Sequence, residues 1–154
     1  MPLSISLEPD PRRKRQVLEQ LTAGLADWFG QPAANRAYAG QAERLPGYIA
    51  CVDSVPRGLL LLKRHSVVSA EIYWMGVDRA SHRSGIGGAL VEAACAAARA
   101  DGAAFLFVYT LHPSVAYEPY ERTRRFYEST GFRYVLEEQV PDATNPLAIY
   151  MKSL

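Results

Sequence analysis

The feature that most limits the fold is a glycine-rich turn near the middle of the chain, Ser84-Gly85-Ile86-Gly87-Gly88. The apolar segment before it, Ala70 to Val77, predicts a strand, and the alanine-rich segment after it predicts a helix that runs to Asp101. Gly102 ends that helix, and the apolar run Ala104 to Thr110 predicts a further strand. Strand, helix and strand in this order form a βαβ unit, so we expect these two strands to run parallel.

The flanking segments predict the rest of an α/β (α+β) domain. At 154 residues, with 49% hydrophobic and 21% charged residues, the composition is typical of a single soluble domain spanning residues 1–154. The other predicted elements are a strand at Leu3–Leu7, helices from Pro11 and from Pro32 to about Glu43, strands Tyr48–Val52 and Gly58–Leu62 around a turn Asp53–Pro56, a helix from about Tyr120 to Thr130, and strands Tyr134–Val140 and Ala148–Met151 around a turn Pro141–Pro146.

Charge and cysteine content narrow the function classes. The formal net charge of +1 provides no extended field that would attract nucleic acid or an anionic membrane. The first residues lack the basic and apolar segments of a secretory signal, so we expect a cytoplasmic protein. Cys51 and Cys95 have no Cys or His neighbours at ligand spacing, so neither a disulfide framework nor a metal site is expected.

Two basic clusters leave alternatives open. Arg12-Arg13-Lys14-Arg15 opposes the dipole at the start of the first helix and could bind an anionic partner, although a solvated face is the favoured interpretation. Arg122, Arg124 and Arg125 could meet a phosphate of a cofactor or an acidic substrate, and again a solvated helix face is favoured.

The glycine-rich turn places backbone N–H groups at the start of a helix, where phosphate oxygens bind readily. Such turns also serve only to pack a helix on a sheet, so the turn alone is weak evidence. A P-loop would need a lysine after Gly88, where Ala89 stands. A dinucleotide fingerprint would need a glycine at Leu90 and an acidic residue near Tyr109. The sequence therefore excludes both nucleotide motifs.

Two motifs resemble those of the GNAT acyltransferases. His82-Arg83-Ser84-Gly85-Ile86-Gly87 is similar to the family's pyrophosphate motif, with His82 at a position that is usually Gln or Arg. The segment Arg125–Phe132, with Phe-Tyr followed three residues later by Gly-Phe, resembles its second signature, and the element order agrees over nearly the whole chain. The resemblance implies the GNAT acyl-CoA N-acyltransferase fold, a mixed, mostly antiparallel central sheet flanked by helices on both faces.

The resemblance also implies a cofactor, acetyl-CoA as the acyl-donor cosubstrate, and no metal. In the family, loop amides bind the pyrophosphate, and pantetheine pairs with the strand before the loop, where the Met75 N–H matches the oxyanion donor. Tyr120 stands where the family often has an asparagine that contacts the cofactor. The residues assigned to the cofactor are Met75, Gly76, Val77, His82, Arg83, Ser84, Gly85, Ile86, Gly87, Gly88 and Tyr120.

The same resemblance assigns two catalytic residues. Tyr127 matches the tyrosine that gives a proton to the departing thiolate, although an aromatic beside Phe126 and Phe132 could serve only for packing. Because an amine with a pKa of about 10.4 is mostly protonated at pH 7, a general base is useful. Glu71 matches the base of the histone acetyltransferase branch. Alternatively, Glu71 faces solvent or pairs with an arginine, and ordered water removes the proton.

Two histidines are weaker candidates. His112 follows the strand after the central helix and is of a residue type that suits proton transfer, but its place in a turn before Pro113 favours a structural role. His65, in Lys63-Arg64-His65, is predicted to be solvated.

The resemblance implies an N-acetyltransferase that moves an acetyl group from acetyl-CoA to a primary amine of a small molecule or peptide by direct attack. The alternative is a non-catalytic acyl-CoA-binding or regulatory module of the same fold. We expect no nucleic-acid or membrane partner, and a homodimer is common in the family. No motif in the sequence identifies the acceptor.

Overall fold

The computed structural model of the chain describes residues 2–139 and 145–154. Within them the chain forms four α-helices and seven β-strands in the predicted order. The helices are α1 (Pro11–Ala23), α2 (Pro32–Ala42), α3 (Ile86–Ala100) and α4 (Glu118–Ser129), and the strands are β1 (Leu3–Leu7), β2 (Gly47–Val52), β3 (Val55–Arg64), β4 (Ser69–Val77), β5 (Phe105–Leu111), β6 (Arg133–Glu138) and β7 (Leu147–Ser153).

The strands form one mixed, mostly antiparallel sheet in the order β1-β2-β3-β4-β5-β7-β6. Antiparallel pairing joins β1 to β2, β2 to β3, β5 to β7 and β6 to β7. The start of β4 pairs in parallel with β5, from Ser69 opposite Phe105 to Glu71 opposite Phe107. The parallel pair on either side of α3 confirms the predicted βαβ unit, and the sheet confirms the predicted fold class.

The chain divides into two compact units, and β4 and α3 each contribute residues to both. The first unit comprises the chain up to Lys63 together with Ile72–Ala97. Its core joins apolar residues of α1 and α2 to the inner faces of β2, β3 and β4 because each element exposes one apolar stripe or face. The fully buried members include Leu18, Ala42, Leu59 and Leu61.

The second unit comprises Arg64–Glu71 and the chain from Ala98 onward. In β5, residues Leu106, Val108 and Thr110 are buried, whereas Phe107 and Tyr109 on the opposite face are half-buried. This alternation follows from the two-residue period of a strand, and it puts the two aromatic rings on a partly open face. The strand also contacts α4.

The first basic cluster is mostly paired inside the first unit. Lys14 is buried and donates to the Leu45 carbonyl oxygen at 2.6 Å, and burial lowers its pKa. Arg13 pairs with Glu8 at 3.0 Å, and Arg15 pairs with two glutamates. The cluster is therefore neither an open anion site nor simply a solvated face.

The β2–β3 turn is shorter than the sequence predicts. Val52 is already opposite Val55, so the turn consists of Asp53 and Ser54, whose φ angles are 51° and 66°. Two successive positive φ angles are typical of a type I′ hairpin, whose twist matches that of the flanking strands. The predicted four-residue turn Asp53–Pro56 is wrong because Pro56 lies in β3, opposite Cys51, beside an irregularity in β2.

Val140 and most of the predicted turn Pro141–Pro146 lie outside the described residues. Over the described ranges, no helix combines the length and apolar character that crossing a membrane requires. The same ranges contain no group of three or more His, Cys, Asp or Glu residues suited to a metal ion.

Candidate active site

The glycine-rich loop lies in the first unit, between β4 and α3. Its start is fixed to β3, because the Asp78 N–H donates to the Arg57 carbonyl oxygen at 2.7 Å and the two side chains pair at 3.1 Å. A short 3₁₀ turn, Arg79–Ser81, follows. Arg83 and Gly85 then adopt φ angles of 64° and 86°, in the left-handed region that favours glycine. These contacts and φ angles fix the backbone of the loop in one turn conformation.

The loop ends at the N-terminus of α3. The Ala89 N–H donates to the Gly85 carbonyl oxygen at 3.1 Å, which makes Gly85 the residue that caps the helix. By helix geometry, the N–H groups of Ile86, Gly87 and Gly88 therefore have no acceptor inside the helix. These three N–H groups carry the partial positive charge of the helix end, where anions are stabilised.

Two loop amides that the sequence assigned to the cofactor already have acceptors. The His82 N–H donates to the Arg79 carbonyl oxygen at 3.2 Å, and the Ser84 N–H donates to that of Ser81 at 3.3 Å. The His82 side chain lies 2.8 Å from the Val77 carbonyl oxygen through Nε2. His82 thus ties the loop back to the end of β4, and the amides without an intrahelical acceptor lie further along, at the start of α3.

The loop is also fixed to the turn that follows α1, which the sequence did not predict. The Arg79 guanidinium pairs with Asp27 at 2.9 Å and lies 5.5 Å from the centre of the Trp28 ring. The His82 ring meets the Trp28 ring edge to face, with their centres 5.6 Å apart. No motif marks these contacts, since they join residues more than fifty positions apart.

The strand before the loop carries Met75, Gly76 and Val77, the residues assigned to pantetheine. Met75 and Val77 are half-buried and Gly76 is buried. A Cβ atom at Gly76 would lie 2.5 Å from Cη2 of Trp74, so a side chain there would collide with a buried indole ring. Glycine at this position is therefore required by the packing of Trp74.

Tyr127 lies in the second unit, near the end of α4, and is 4% exposed. Its ring centre lies 5.2 Å from that of Phe126 and 5.3 Å from that of Phe132. Burial raises the pKa of its hydroxyl, and the charge of Tyr120 adds to the effect. Tyr127 therefore packs as the structural alternative expected, and it also stays protonated at neutral pH, as a proton donor must.

Tyr120 is half-buried in the first half of α4, where its ring centre lies 6.0 Å from that of Tyr117. Tyr120 also helps to raise the pKa of Tyr127, so these two predicted site residues of the second unit interact electrostatically.

Glu71, the last β4 residue of the second unit, has a side chain that is only 9% exposed. Its Oε1 lies 2.7 Å from Nε2 of His65. Glu71 is therefore buried rather than facing solvent, and one of its partners is a histidine. His65 is exposed, as the sequence predicts, but its ring also contacts Phe107, with the two ring centres 5.0 Å apart.

Sequence reasoning missed the His65–Glu71 pair because the resemblance that marks Glu71 does not include His65. The signal that could have found it is the spacing of six residues across a tight connection between two strands. The His65 N–H bonds the Ser69 carbonyl oxygen, so Glu71, two residues further on, is a diagonal neighbour of His65 on the same face.

Tyr109 and Glu138 extend this pair along the same face of the sheet. Burial raises the pKa of Tyr109 to about 12, helped by a hydrogen bond to Glu138 and by the charges of Glu138 and Glu71. Phe107 lies between, with its ring centre 5.8 Å from that of Tyr109. The face is aromatic and carries two carboxylates.

The remaining candidates have structural partners. Arg124 is buried and donates to the Leu111 carbonyl oxygen at 2.8 Å, so it does not lie on a solvated face. Arg122 pairs with Glu118 at 2.8 Å. The His112 ring bonds the Ser114 hydroxyl at 2.9 Å, which agrees with a structural role in the turn.

The fold and both motifs are those expected of a GNAT acetyltransferase, and a comparison with known protein families gives the same class. A family model described as "Acetyltransferase (GNAT) domain" matches residues 37–134. The chain belongs to this GNAT acetyltransferase family. No curated protein matches the chain significantly.

Solved structures agree with the fold. A GNAT-family acetyltransferase from Desulfovibrio desulfuricans has a TM-score of 0.83 at 18% identity, with 99% of both chains covered. The ribosomal-protein-S18-alanine N-acetyltransferase of Escherichia coli has a TM-score of 0.75 at 16% identity, covering 99% of this chain and 94% of that one. A GNAT acetyltransferase from Elizabethkingia anophelis, with acetyl-CoA bound, has a TM-score of 0.68 at 15% identity, covering 99% and 98%. At these identities the likeness shows the fold alone.

Proposed function

We propose that the protein is an N-acetyltransferase that moves the acetyl group of acetyl-CoA to a primary amine of a small molecule or peptide by direct attack. The observation that carries the proposal is the start of α3, where the N–H groups of Ile86, Gly87 and Gly88 have no acceptor inside the helix. Membership of the GNAT acetyltransferase family, and a solved structure of the same fold with acetyl-CoA bound, support acyl-CoA as the ligand at this helix end. The proposed enzyme is a single domain, acts in the cytoplasm and forms a homodimer.

The pyrophosphate of acetyl-CoA would bind at this helix end. Because the His82 and Ser84 amides already have acceptors, the pyrophosphate would rely on the amides at the start of α3. A Cβ atom at Gly85 or at Gly88 would meet nothing within 4 Å, which leaves space for phosphate oxygens close to the backbone. The other assigned residues of the loop, His82 and Arg83 included, would shape it around the phosphates.

The acyl group would react beside β4. In the proposed step the neutral amine attacks the thioester carbon, and the Met75 N–H stabilises the oxygen as it becomes negative. The C–N bond forms, the C–S bond breaks, and the electron pair of that bond leaves with the sulfur. The ammonium form of the acceptor loses two protons in all, of which one ends on coenzyme A and one is released.

Tyr127 would donate a hydrogen bond to the departing sulfur. Its raised pKa keeps the hydroxyl protonated throughout the neutral range, so the donor is present in every turnover. The same shift makes Tyr127 a weak acid. We therefore expect its hydroxyl to stabilise the thiolate by a hydrogen bond, and to give its proton to the sulfur only as the thiolate forms. Tyr120 would line the same part of the cofactor site.

Glu71 would take the proton from the acceptor ammonium. The carboxylate is buried, lies on a strand and is within hydrogen-bond distance of His65, which are features of a positioned base. The aromatic rings of Phe107 and Tyr109 on the same face, with the Glu138 carboxylate beside Tyr109, offer suitable surroundings for a cationic amine.

The test is binding and turnover in parallel. Acetyl-CoA should raise the melting temperature of the purified chain, and a panel of amines and peptide N-termini should be screened for release of free thiol. Gly88→Glu should abolish the thermal shift, because a carboxylate in the first turn suits the helix dipole but repels the pyrophosphate. Gly40→Glu is the matched control: it introduces the same charge in α2, where a Cβ atom also meets nothing within 4 Å.

Three outcomes separate the alternatives. Binding that is lost in Gly88→Glu and kept in Gly40→Glu, together with thiol release on at least one amine, supports the enzyme. Binding without release on any acceptor supports a non-catalytic acyl-CoA module. No binding by the unmodified chain would overturn both.

A further inference from the structure

The His65–Glu71 pair joins two polar side chains in the second unit, one of them buried. His65 is 35% exposed and Glu71 is 9% exposed, so the imidazole lies between a buried carboxylate and the solvent. Replacing a buried polar pair by apolar groups of similar shape is often neutral or stabilising. The 2.7 Å contact between His65 and Glu71 is therefore better explained by a role in the chemistry than by packing.

The connection between β3 and β4 holds the imidazole in one position. The His65 N–H donates to the Ser69 carbonyl oxygen at 3.0 Å. Inside the turn, the Ser66 hydroxyl lies 2.8 Å from that of Ser69 and accepts from the Val68 N–H at 3.2 Å. Phe107 supports the ring from β5. The chain thus restrains both the backbone and the ring of His65.

Burial alone would disfavour the charged form of Glu71, since a carboxylate removed from water loses its solvation. The Tyr109 hydroxyl on β5 and the Glu138 carboxylate on β6 lie on the same face as Glu71, and neither carries a positive charge. Arg64 is directed elsewhere, to the Ser66 and Val67 carbonyl oxygens and to Asp101. An N–H donated by His65 to Oε1 stabilises the ionised form directly.

We propose that His65 is a positioning residue for acetyl transfer: its Nε2–H holds the Glu71 carboxylate ionised and oriented, so that Oε2 can take the acceptor's proton. This inference rests on the proposed function, because it assumes that Glu71 is the base. The proton leaves the acceptor nitrogen for Oε2, directly or through one water, and is afterwards released to solvent. His65 itself does not touch the reacting atoms.

The measurement is the pH dependence of kcat/KM on one acceptor, for the unmodified protein and for three variants. In His65→Ala the acidic limb of the pH profile of kcat/KM should move to higher pH by about one to two units. This shift corresponds to the free energy lost with a charge-assisted hydrogen bond. His65→Gln, which keeps an N–H donor at similar reach, should restore most of the profile. His112→Ala, which removes the imidazole of a structural turn in the same unit, should leave the limb in place.

A double-mutant cycle distinguishes this inference from the proposed function. His65→Ala should have almost no further effect in a Glu71→Gln background, because the two residues act as one unit. If Glu71→Gln leaves kcat/KM unchanged, the base assignment and this inference fail together. If Glu71→Gln is impaired but His65→Ala lowers kcat/KM equally at every pH, the inference fails and the proposed base remains. An additive double mutant would likewise overturn it.

Discussion

The two ends of β4 present different kinds of chemical group. At its C-terminal end the chain enters the glycine-rich loop, where the useful groups are main-chain N–H groups at the start of α3. At its N-terminal end the tight connection from β3 brings together two side chains, His65 and Glu71, at 2.7 Å. One end depends on backbone shape and the other on the identity of two residues.

This difference predicts how each end responds to substitution. A backbone site should tolerate any residue that keeps the φ angles and leaves the approach to the N–H groups open. A side-chain pair tolerates little, because the donor and the carboxylate must both be present. Changes at the loop should therefore affect cofactor binding, and changes at the pair should affect turnover.

The largest effect is expected from Glu71→Gln. Loss of the base should lower kcat by about 10² to 10³-fold at neutral pH, the usual contribution of a positioned general base. Acetyl-CoA binding should be unchanged, so Gly88→Glu and Glu71→Gln should show opposite defects in binding and turnover. The measurement is steady-state kinetics with calorimetric binding of acetyl-CoA, and equal loss of affinity in both variants would break the comparison.

Tyr127→Phe should have the next largest effect, about 10-fold or more on kcat, because the departing thiolate loses a hydrogen-bond donor. The ring still packs between Phe126 and Phe132, so the melting temperature should change little. The check is a series of acyl donors whose thiols differ in acidity. A defect that grows as the leaving thiol becomes more basic supports the proposed role, and a defect independent of the thiol contradicts it.

Two alanine substitutions in the loop should have opposite signs. Gly85→Ala should destabilise the fold by about 1–2 kcal/mol, because residue 85 has a φ of 86° that a Cβ atom disfavours. Gly88→Ala should stabilise α3 by about 0.5–1 kcal/mol, since alanine restricts the unfolded chain. Denaturant unfolding measures both. Equal effects of the two variants would show that the loop is not fixed by its backbone conformation.

The smallest effect concerns Tyr109 at high pH. Its folded-state pKa of about 12 exceeds the ordinary value of 10.0, so the folded chain holds this proton more tightly than the unfolded chain does. The resulting stability is complete below about pH 10 and is lost as the pH rises toward 12. Tyr109→Phe should therefore show a shallower fall in unfolding free energy over this window. An identical slope in both proteins would exclude the contribution.

The sequence determined the loop and most of the elements around it. The hydrophobic pattern changes from that of a strand to that of a helix at the glycine-rich turn, and this change predicted the parallel strands. The pattern could be interpreted from the sequence because neighbouring residues decide which backbone conformations Gly85 and the alanine-rich segment adopt. The Phe126-Tyr127 segment was likewise found from its motif. The roles of both motifs in catalysis and binding stay predictions.

Only the tertiary structure decided the partners of the charged and titratable groups. Lys14 and Arg124 look solvated in the sequence, yet each is buried and bonded to a main-chain carbonyl oxygen. His65 looks like part of a basic surface run, yet it pairs with Glu71 across a hairpin. A glycine or a helix period acts through neighbouring residues, whereas a partner at hydrogen-bond distance is set by strand register and packing, which the order of residues does not state.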